Sequence, residues 1–333
     1  MTLVFAKLHH VHHTTVLQPF DMNRYSVSTT AASVTTDCQE VYVPNEVFLV
    51  VGVLSLAENL LVVLAVICTP KLHSPMYLFI CNLAAFNTLS SLCMAWESIM
   101  LAFSAAGHLD TRGTLERHLD DVTDSLLCTS FLGSFCSFLV IAVDRYITIF
   151  HALRYHVIVT CRRAIVVLGM TWALCGTSGA LMIRFSHTTT TAMVTFIIMF
   201  LLALLLILPL YGHMFLLARK HAGHIASLPG ATGAGRARLP GWRSMQAAVT
   251  LSILFGVFMV CWAPFFLHLL LLMLCPQDPY CECYRSLFQL HLLLSVSHAV
   301  IDPTIYAFRS QELRRSFRRI YCDESLCRWL DTY

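Results

Sequence analysis

The chain has 333 residues, 57% of them hydrophobic and only 12% charged, and its formal net charge is +3. Soluble domains carry about 25% charged residues, so this composition excludes a soluble protein and indicates an integral membrane protein. The slight basic excess is typical of the loops of a membrane protein, where Lys and Arg favour the cytoplasmic side, and does not indicate nucleic-acid binding.

Seven apolar stretches of about 20 residues or more are long enough to cross a hydrocarbon core of about 30 Å as helices. The predicted spans are 47–67, 76–101, 121–149, 164–183, 192–217, 247–274 and 286–308. We therefore predict an all-α membrane protein, a seven-transmembrane helix bundle formed by residues 47–308. A disordered extracellular tail, 1–46, precedes it, and a cytoplasmic segment, 309–333, follows it.

The orientation of the bundle follows from its basic residues. With the N-terminus outside, most of the 22 Lys and Arg residues fall in the cytoplasmic segments, as membrane proteins prefer. On that side, 310–321 is a basic amphipathic stretch that predicts a short helix on the membrane surface. Cys322 follows it and is a candidate palmitoylation site, with an unmodified thiol as the alternative. Membrane lipid is therefore a predicted partner.

Four cysteines lie together on the predicted outer side: Cys38, Cys275, Cys281 and Cys283. In an oxidising compartment they favour two disulfides. A zinc site is the alternative, but no His accompanies the loop cysteines. Four cysteines allow three connectivities, and the pairing Cys38–Cys283 with Cys275–Cys281 is one of them.

Five polar or proline-containing motifs lie at regular places in the predicted spans. They are Asn59 in the first span, Asp144-Arg145-Tyr146 at the end of the third, Trp172 in the fourth, Cys261-Trp262-Ala263-Pro264 in the sixth and Asp302-Pro303-Thr304-Ile305-Tyr306 in the seventh. A charge costs about 2.5–3.5 kcal/mol at the bilayer centre and less near its edge. The pair Asp144 and Arg145 therefore favours a switch in which the arginine changes partners. With these motifs the chain resembles a rhodopsin-type G-protein-coupled receptor.

A finer resemblance is to the melanocortin receptors. The segments that show this resemblance are Ser74-Pro75-Met76-Tyr77, residues 144–156, residues 213–219, the cysteine-rich loop 275–283 and Asp302-Pro303. The usual disulfide to the top of the third helix cannot form because Asp120 stands there, and melanocortin receptors lack that bridge as well. The resemblance implies a plasma-membrane receptor, not an enzyme, that binds a melanocortin peptide hormone, activates a stimulatory G protein and raises cyclic AMP.

Two segments resemble the corticotropin (ACTH) receptor subtype, namely 120–125 and 185–187. That subtype implies a single-span accessory protein for surface delivery and response. The segment 225–229 is shared with the melanotropin-binding subtypes, so α-melanotropin stays the alternative ligand.

Three carboxylates are candidates for the ligand site. Asp120 and Asp124 are one helical turn apart on one face of the third helix, and Glu97 lies near the outer end of the second. Converging carboxylates need a cation, either a divalent ion with oxygen ligands or a guanidinium. The resemblance implies both: a bound Ca²⁺ on Glu97, Asp120 and Asp124, and the Arg of the His-Phe-Arg-Trp core of melanocortin peptides. Solvated helix-end acids are the alternative interpretation.

Apolar and aromatic side chains complete the predicted ligand site. They are Phe265, Phe266 and His268 after Pro264, with Phe288 and Leu292 on the seventh span. They can form a wall against the peptide's Phe and Trp, although plain packing is the alternative for each Phe. A His inside a span usually faces an aqueous cavity, which favours His268 as a ligand contact.

The resemblance also implies the switch. Ligand contact at Trp262 is converted into movement of the sixth helix, because Pro264 removes a backbone hydrogen bond and supplies a hinge. Arg145 then leaves Asp144 and points into an inner cleft near Tyr211 and Tyr306, which is a shift between two packings.

The chain departs from the family at two switch positions. Asn87 stands where the family has Asp, and His298 stands where it has Asn. The polar pocket is thus predicted to contain Asn59, Asn87, His298 and Asp302. We expect weaker Na⁺ binding and altered basal activity and coupling.

Other functional classes are less favoured. Residues 176–179 resemble the Gly-x-Ser-Gly of rhomboid intramembrane proteases, with Ser178 as nucleophile, although small residues in a span usually permit close packing. The three lysines, Lys7, Lys71 and Lys220, all lie outside the spans, which excludes a retinal pigment. A channel or transporter lacks support, because no inverted repeat is visible.

Overall fold

The computed structural model describes residues 41–105, 114–151, 154–185, 189–226, 240–274, 283–284 and 286–322, and it contains helices and no strand over these ranges. Its long helices are α1 (Asn45–Cys68), α2 (Pro75–Ala105), α3 (Thr114–Phe150), α4 (Cys161–Phe185), α5 (Thr189–Ala226), α6 (Pro240–Leu274), α7 (Phe288–Arg309) and α8 (Gln311–Cys322). Each of α1–α7 overlaps one predicted span. The predicted all-α fold with seven spans and a following short helix is therefore confirmed. The N-terminal tail, 1–40, lies outside the described residues.

By length and composition alone, five of the described helices can cross a membrane: α1, α2, α3, α4 and α6. The described part of α5 contributes a shorter apolar stretch, Ile197–His213. Helix α7 carries Gln289, His291, His298 and Asp302 within its apolar sequence, and these polar residues lower its mean hydropathy. Helix α7 thus brings polar groups into the bundle, among them the buried His291, His298 and Asp302.

Polar side chains collect inside the bundle, and large apolar ones cover its surface. Asn59, Ser130 and Asp302 are completely buried, whereas Leu205 and Val260 are about 70% exposed. So many exposed large apolar side chains are unlike the surface of a soluble protein and are expected where hydrocarbon surrounds the helices. The interior can therefore hold a polar network.

Helices α2, α3 and α4 are held together around Trp172. Its indole N–H donates to Oδ1 of Asn82 at 2.9 Å, and its ring stacks on Phe86 with centroids 4.1 Å apart. Gly133 of α3 lies so close to Phe86 that a Cβ there would overlap the ring. Small residues let membrane helices approach closely, which explains this glycine.

The Gly-x-Ser-Gly segment of α4 has the same packing role. Gly179 contacts α3 so closely that a Cβ would overlap the hydroxyl of Thr129, and its carbonyl accepts a hydrogen bond from Ser125 at 2.7 Å. The hydroxyl of Ser178 donates to the carbonyl of Leu174, one turn earlier, at 2.9 Å. The segment thus serves helix packing.

Two contacts fasten the ends of α7 and α8 to the rest of the bundle. Before α1, the backbone N–H of Val41 donates to the carbonyl of Ser286 at 3.0 Å. At the opposite end, the hydroxyl of Tyr77 on α2 donates to Oε2 of Glu312 at 2.8 Å. Leu313 of α8 is completely buried. The arginines of α8 are exposed, namely Arg314, Arg315, Arg318 and Arg319. The predicted amphipathic helix is therefore confirmed.

Candidate ligand pocket and switch residues

An aromatic cluster occupies the part of α6 that follows Trp262. Phe265 is completely buried and Phe266 is 5% exposed. Phe266 stacks on Phe200 of α5 with centroids 3.5 Å apart and contacts Phe131 of α3 at 5.5 Å. The two predicted α6 phenylalanines are therefore core residues that join α3, α5 and α6.

The predicted wall continues on α7 through Phe288 and Leu292. Phe288 is 7% exposed and Leu292 is 6% exposed. The Phe288 ring lies 6.2 Å from Phe265 and 5.1 Å from the completely buried His268, centroid to centroid. The side chains that the sequence analysis grouped into one wall on α6 and α7 are therefore neighbours in the structure.

Two residues that the sequence analysis missed extend this group. His291 lies 5.7 Å from His268 and 4.6 Å from Tyr284, measured between ring centroids. The hydroxyl of Tyr284 donates to the carbonyl of Pro264 at 3.0 Å. The rule that favoured His268, a histidine inside a span, applies equally to His291 and would have found it. Burial raises the pKa of Tyr284, so its hydroxyl stays a donor.

The predicted carboxylate group is placed in part. Glu97 of α2 is 6% exposed, and Asp124 of α3 is half-buried. The side chain of Asp120 lies outside the described residues. Among the side chains that are described, no group of three His, Cys, Asp or Glu residues is arranged to hold a metal. The oxygen donors are nonetheless of the kind that Ca²⁺ takes, so Glu97, Asp120 and Asp124 stay the predicted set.

The polar pocket in the middle of the bundle forms as predicted between Asn87 and Asp302. The amide of Asn87 donates to Oδ2 of Asp302 at 3.1 Å, and Ser134 donates to Oδ1 of Asn87 at 3.2 Å. Asn59 instead donates to the backbone carbonyl of Ala299 on α7 at 2.7 Å. The amide of Asn87 thus lies directly beside the Asp302 carboxylate.

His298 lies apart from that pair and contacts Trp262. The Trp262 indole N–H points at Nδ1 of His298 at 3.2 Å, and Phe258 meets the imidazole edge-on at 5.1 Å. A cavity of about 40 Å³ adjoins both side chains and is also lined by Phe265 and Leu292. Trp262 therefore contacts the predicted ligand wall on one side and α7 on the other.

At the opposite end of α3, Asp144 and Arg145 form a buried ion pair. Two nitrogens of the Arg145 guanidinium, Nε at 2.9 Å and one terminal nitrogen, donate to Oδ2 of Asp144. The hydroxyl of Tyr155, on a one-turn helix Tyr155–Ile158, donates to Oδ1 at 2.9 Å. Burial and the Asp144 carboxylate raise the pKa of Tyr155 to about 12. The sequence analysis missed Tyr155, although it lies within the segment 144–156 that carries the family resemblance.

The remaining predicted switch residues lie on α3, α5, α6 and α7. Tyr146 contacts Phe150 with ring centroids 4.3 Å apart. Tyr211 of α5 is 5% exposed and stacks on Phe255 of α6 at 4.6 Å, and no partner for its hydroxyl occurs among the described residues. Pro264 and Pro303 lie inside α6 and α7. The side chain of Tyr306 lies outside the described residues.

The modification sites are described only in part. Cys283 is disulfide-bonded, so one cysteine of this loop takes part in a disulfide. Cys38, Cys275 and Cys281 lie outside the described residues, as does the side chain of Cys322. The connectivity and the palmitoylation therefore stay predictions.

The comparison with known proteins agrees with this arrangement. Residues 58–306 match the model of the 7 transmembrane receptor (rhodopsin family). The chain is 48% identical over 286 residues to melanocortin receptor 4 of Danio rerio, covering 85% of each chain. It is 48% identical over 285 residues to human melanocortin receptor 5, covering 86% of each.

Human melanocortin receptor 3 is also 48% identical, over 286 residues that cover 86% of this chain and 87% of the relative. These relatives are receptors, so the chain is a multi-pass membrane receptor and not a protease. With its seven-helix fold, its Asp144–Arg145 pair and its Trp262 contacts, the chain belongs to the melanocortin receptors of the rhodopsin family of seven-transmembrane receptors.

Proposed function

We propose that the chain is a plasma-membrane receptor for a melanocortin peptide hormone, with its N-terminus outside. Peptide binding activates a stimulatory G protein and thereby adenylyl cyclase. The observation that carries the proposal is the position of Trp262, which lies 5.9 Å from Phe265 and 5.9 Å from Phe266 by ring centroids. The same indole contacts His298 of α7. A peptide that moves the aromatic cluster therefore acts directly on the α6–α7 contact.

The peptide's cationic residue fits the carboxylate end of the pocket. Burial of Glu97 and the turn spacing of Asp120 and Asp124 create a site that favours positive charge. These three residues would hold Ca²⁺, which would supply positive charge at this end of the pocket. The Arg of the peptide core makes charge-assisted hydrogen bonds with carboxylate oxygens that stay accessible.

The aromatic residues of the peptide fit against the α6–α7 wall. His268, Phe288 and Leu292 lie there, each less than 10% exposed before the peptide binds, and offset or edge-on ring pairs with the peptide would add about 0.5–1.5 kcal/mol to simple burial. Phe265 and Phe266 act one layer deeper, as the contacts through which the wall reaches Trp262.

The G protein binds at the other end of the bundle once the α3 ion pair opens. Arg145 leaves Asp144, and the space near Tyr211 and Tyr306 receives it. This is a shift between two packings of α6 against α3 and α5, and the peptide drives it only by binding the open packing more tightly.

The specific hormone is proposed as ACTH. Segments 120–125 and 185–187 support ACTH, which implies a single-span accessory protein as a further partner. The similarity to melanocortin receptors 3, 4 and 5 supports the alternative, α-melanotropin, together with segment 225–229.

Cyclic AMP in cells that express the chain decides between these ligands. We expect a response to ACTH that needs co-expression of the accessory protein. A response to both peptides without the accessory protein would move the chain to the melanotropin-binding type. No response to either peptide, with the receptor demonstrated at the cell surface, would contradict the proposed function.

The calcium proposal has a separate test. Binding of a labelled peptide to membranes is measured with excess Ca²⁺ and after chelation. We expect chelation to weaken binding at least tenfold in the native chain and to have little effect in the Asp124→Asn variant, whose site is already impaired. Equal binding with and without Ca²⁺ in the native chain would show that the carboxylates bind the peptide directly.

A further inference from the structure

Two groups approach the same nitrogen of His298. The indole N–H of Trp262 lies 3.2 Å from Nδ1, and the backbone carbonyl oxygen of Ser295, one turn earlier on α7, lies 2.6 Å from it. All three residues are buried, with exposed fractions of 4% for His298, 7% for Trp262 and none for Ser295. Bulk water therefore does not compensate for a hydrogen bond that is lost here.

The two contacts require opposite protonation of that nitrogen. In a neutral imidazole one nitrogen carries the proton and donates, and the other has a lone pair and accepts. Nδ1 can donate to the Ser295 carbonyl or accept from the Trp262 indole, but one tautomer cannot do both. An amide side chain, as in Asn, has a separate donor and acceptor and can satisfy both neighbours at once.

The other ring nitrogen is free to take part in the exchange. Nε2 of His298 is buried and has no hydrogen-bond partner among the described residues. The cavity of about 40 Å³ beside the imidazole is lined by the hydroxyl-bearing Ser90, Ser130, Ser134 and Ser295. Although most of its lining is apolar, the cavity exceeds the roughly 10–15 Å³ that a water needs, and the serine hydroxyls offer polar partners for one. Nε2 can therefore be satisfied as a donor or as an acceptor.

We propose that His298 is a two-state latch on Trp262. With its proton on Nε2, the imidazole accepts from the Trp262 indole and holds α6 against α7. With its proton on Nδ1, it donates to the Ser295 carbonyl and releases the indole. The exchange moves one proton between the two ring nitrogens and changes no net charge. His298 is thus a positioning residue that sets how readily Trp262 moves.

The proposed latch predicts that His298→Asn strengthens the restraint on Trp262. The amide can accept from the Trp262 indole and donate to the Ser295 carbonyl at the same time. The test is a double-mutant cycle with Trp262→Phe, which keeps a ring and removes the indole N–H. Melting temperatures of the purified, peptide-free receptor are the readout, so the result does not depend on which hormone binds. Where the receptor signals, basal cyclic AMP is a second readout.

We expect His298→Asn to raise the melting temperature by about 2–4 °C, the shift that a gain of roughly 1 kcal/mol produces, and to lower basal cyclic AMP. In the Trp262→Phe background the same substitution should have less than half of that effect. Ser297→Ala is the matched control, since its hydroxyl donates to the Leu293 carbonyl on the same helix, and its effect should be additive with Trp262→Phe. Full additivity for His298→Asn would overturn the latch.

Direct measurement of the His298 tautomers tests the proposal even for variants that fold poorly. The receptor is labelled with ¹⁵N-histidine, and the His298 signals are assigned by their loss in His298→Asn. We expect both tautomers in the native receptor and a shift toward the Nδ1-protonated form in Trp262→Phe, which lacks the competing donor. An identical tautomer ratio in the two proteins would overturn the proposal. Loss of peptide signalling with this shift intact would overturn the proposed function alone.

Discussion

The hydroxyl of Tyr155 donates a 2.9 Å hydrogen bond to Oδ1 of Asp144, the carboxylate that also holds Arg145. The one-turn helix after α3 is thereby connected to the ion pair that, in the proposed switch, holds α3 in its closed packing. Asp144 has two carboxylate oxygens, and one serves Tyr155 while the other serves Arg145. The closed arrangement therefore depends on a neutral donor outside the Asp-Arg-Tyr motif as well as on the charges within it.

The Tyr155→Phe substitution removes this donor and leaves the ring. Hydrogen bonds to charged groups contribute about 1.5–3 kcal/mol, so the closed packing should lose at least tenfold in population relative to the open one. We expect raised basal cyclic AMP at equal surface expression. Tyr42→Phe is the control, because Tyr42 is 70% exposed. Unchanged basal signalling in Tyr155→Phe would show that the ion pair alone keeps α3 closed.

Gly133→Ala tests the close approach of α3 to Phe86. The new Cβ would overlap the Phe86 ring, which is completely buried and stacked on Trp172. Overpacking of this kind costs about 1–3 kcal/mol, so the purified receptor should melt several degrees lower. Gly256→Ala is the matched control, since nothing lies within 4 Å of its Cβ position. Equal melting temperatures for the two variants would contradict the packing at Phe86.

The predicted Cys38–Cys283 disulfide is supported by the backbone beside it. Val41 N–H donates to the Ser286 carbonyl, and Val43 N–H donates to Oε1 of Gln289. These contacts join the segment that follows Cys38 in the sequence to the segment that follows Cys283, as the predicted pairing requires. Mapping of disulfide-linked peptides should recover 38 with 283 and 275 with 281. Recovery of a 275–283 or 281–283 link would refute this connectivity.

Sodium should have little effect on this receptor. Asn87 donates directly to Asp302 at 3.1 Å, so the position where the family has a second carboxylate offers no extra negative charge. We expect the melting temperature to be the same in sodium chloride and in choline chloride. Asn87→Asp should make it sodium-dependent, because two facing carboxylates repel unless a cation lies between them. Sodium stabilisation of the native chain would contradict this interpretation.

The sequence predicted the helices well because a hydrocarbon environment leaves few alternatives. A span must satisfy every backbone hydrogen bond within itself, so each apolar stretch located one of α1–α7, although α3, α5 and α6 each extend seven to nine residues beyond one predicted end. The amphipathic pattern of 310–321 located α8 for a similar reason. His268 was predicted because a histidine inside a span usually faces an aqueous cavity, and Phe288 was predicted as an aromatic candidate on the seventh span.

Contacts between distant segments were not predictable in the same way. Tyr155 reaches Asp144 only because the chain turns back after α3, and no hydrophobic periodicity in the sequence predicts that turn. Trp262 and His298 were both predicted as switch residues, but their contact depends on the relative rotation of α6 and α7. Phe200 and Phe131 looked like ordinary apolar span residues, and packing alone places them against Phe266.

The most direct test of the account is peptide-stimulated cyclic AMP in the native receptor and in Arg145→Ala, at equal surface expression and with the accessory protein present. The account predicts a rise with ACTH in the native receptor and none in Arg145→Ala, although both bind the labelled peptide. If Arg145→Ala responds as strongly as the native receptor, Arg145 is not the residue that engages the G protein, and the proposed switch is wrong.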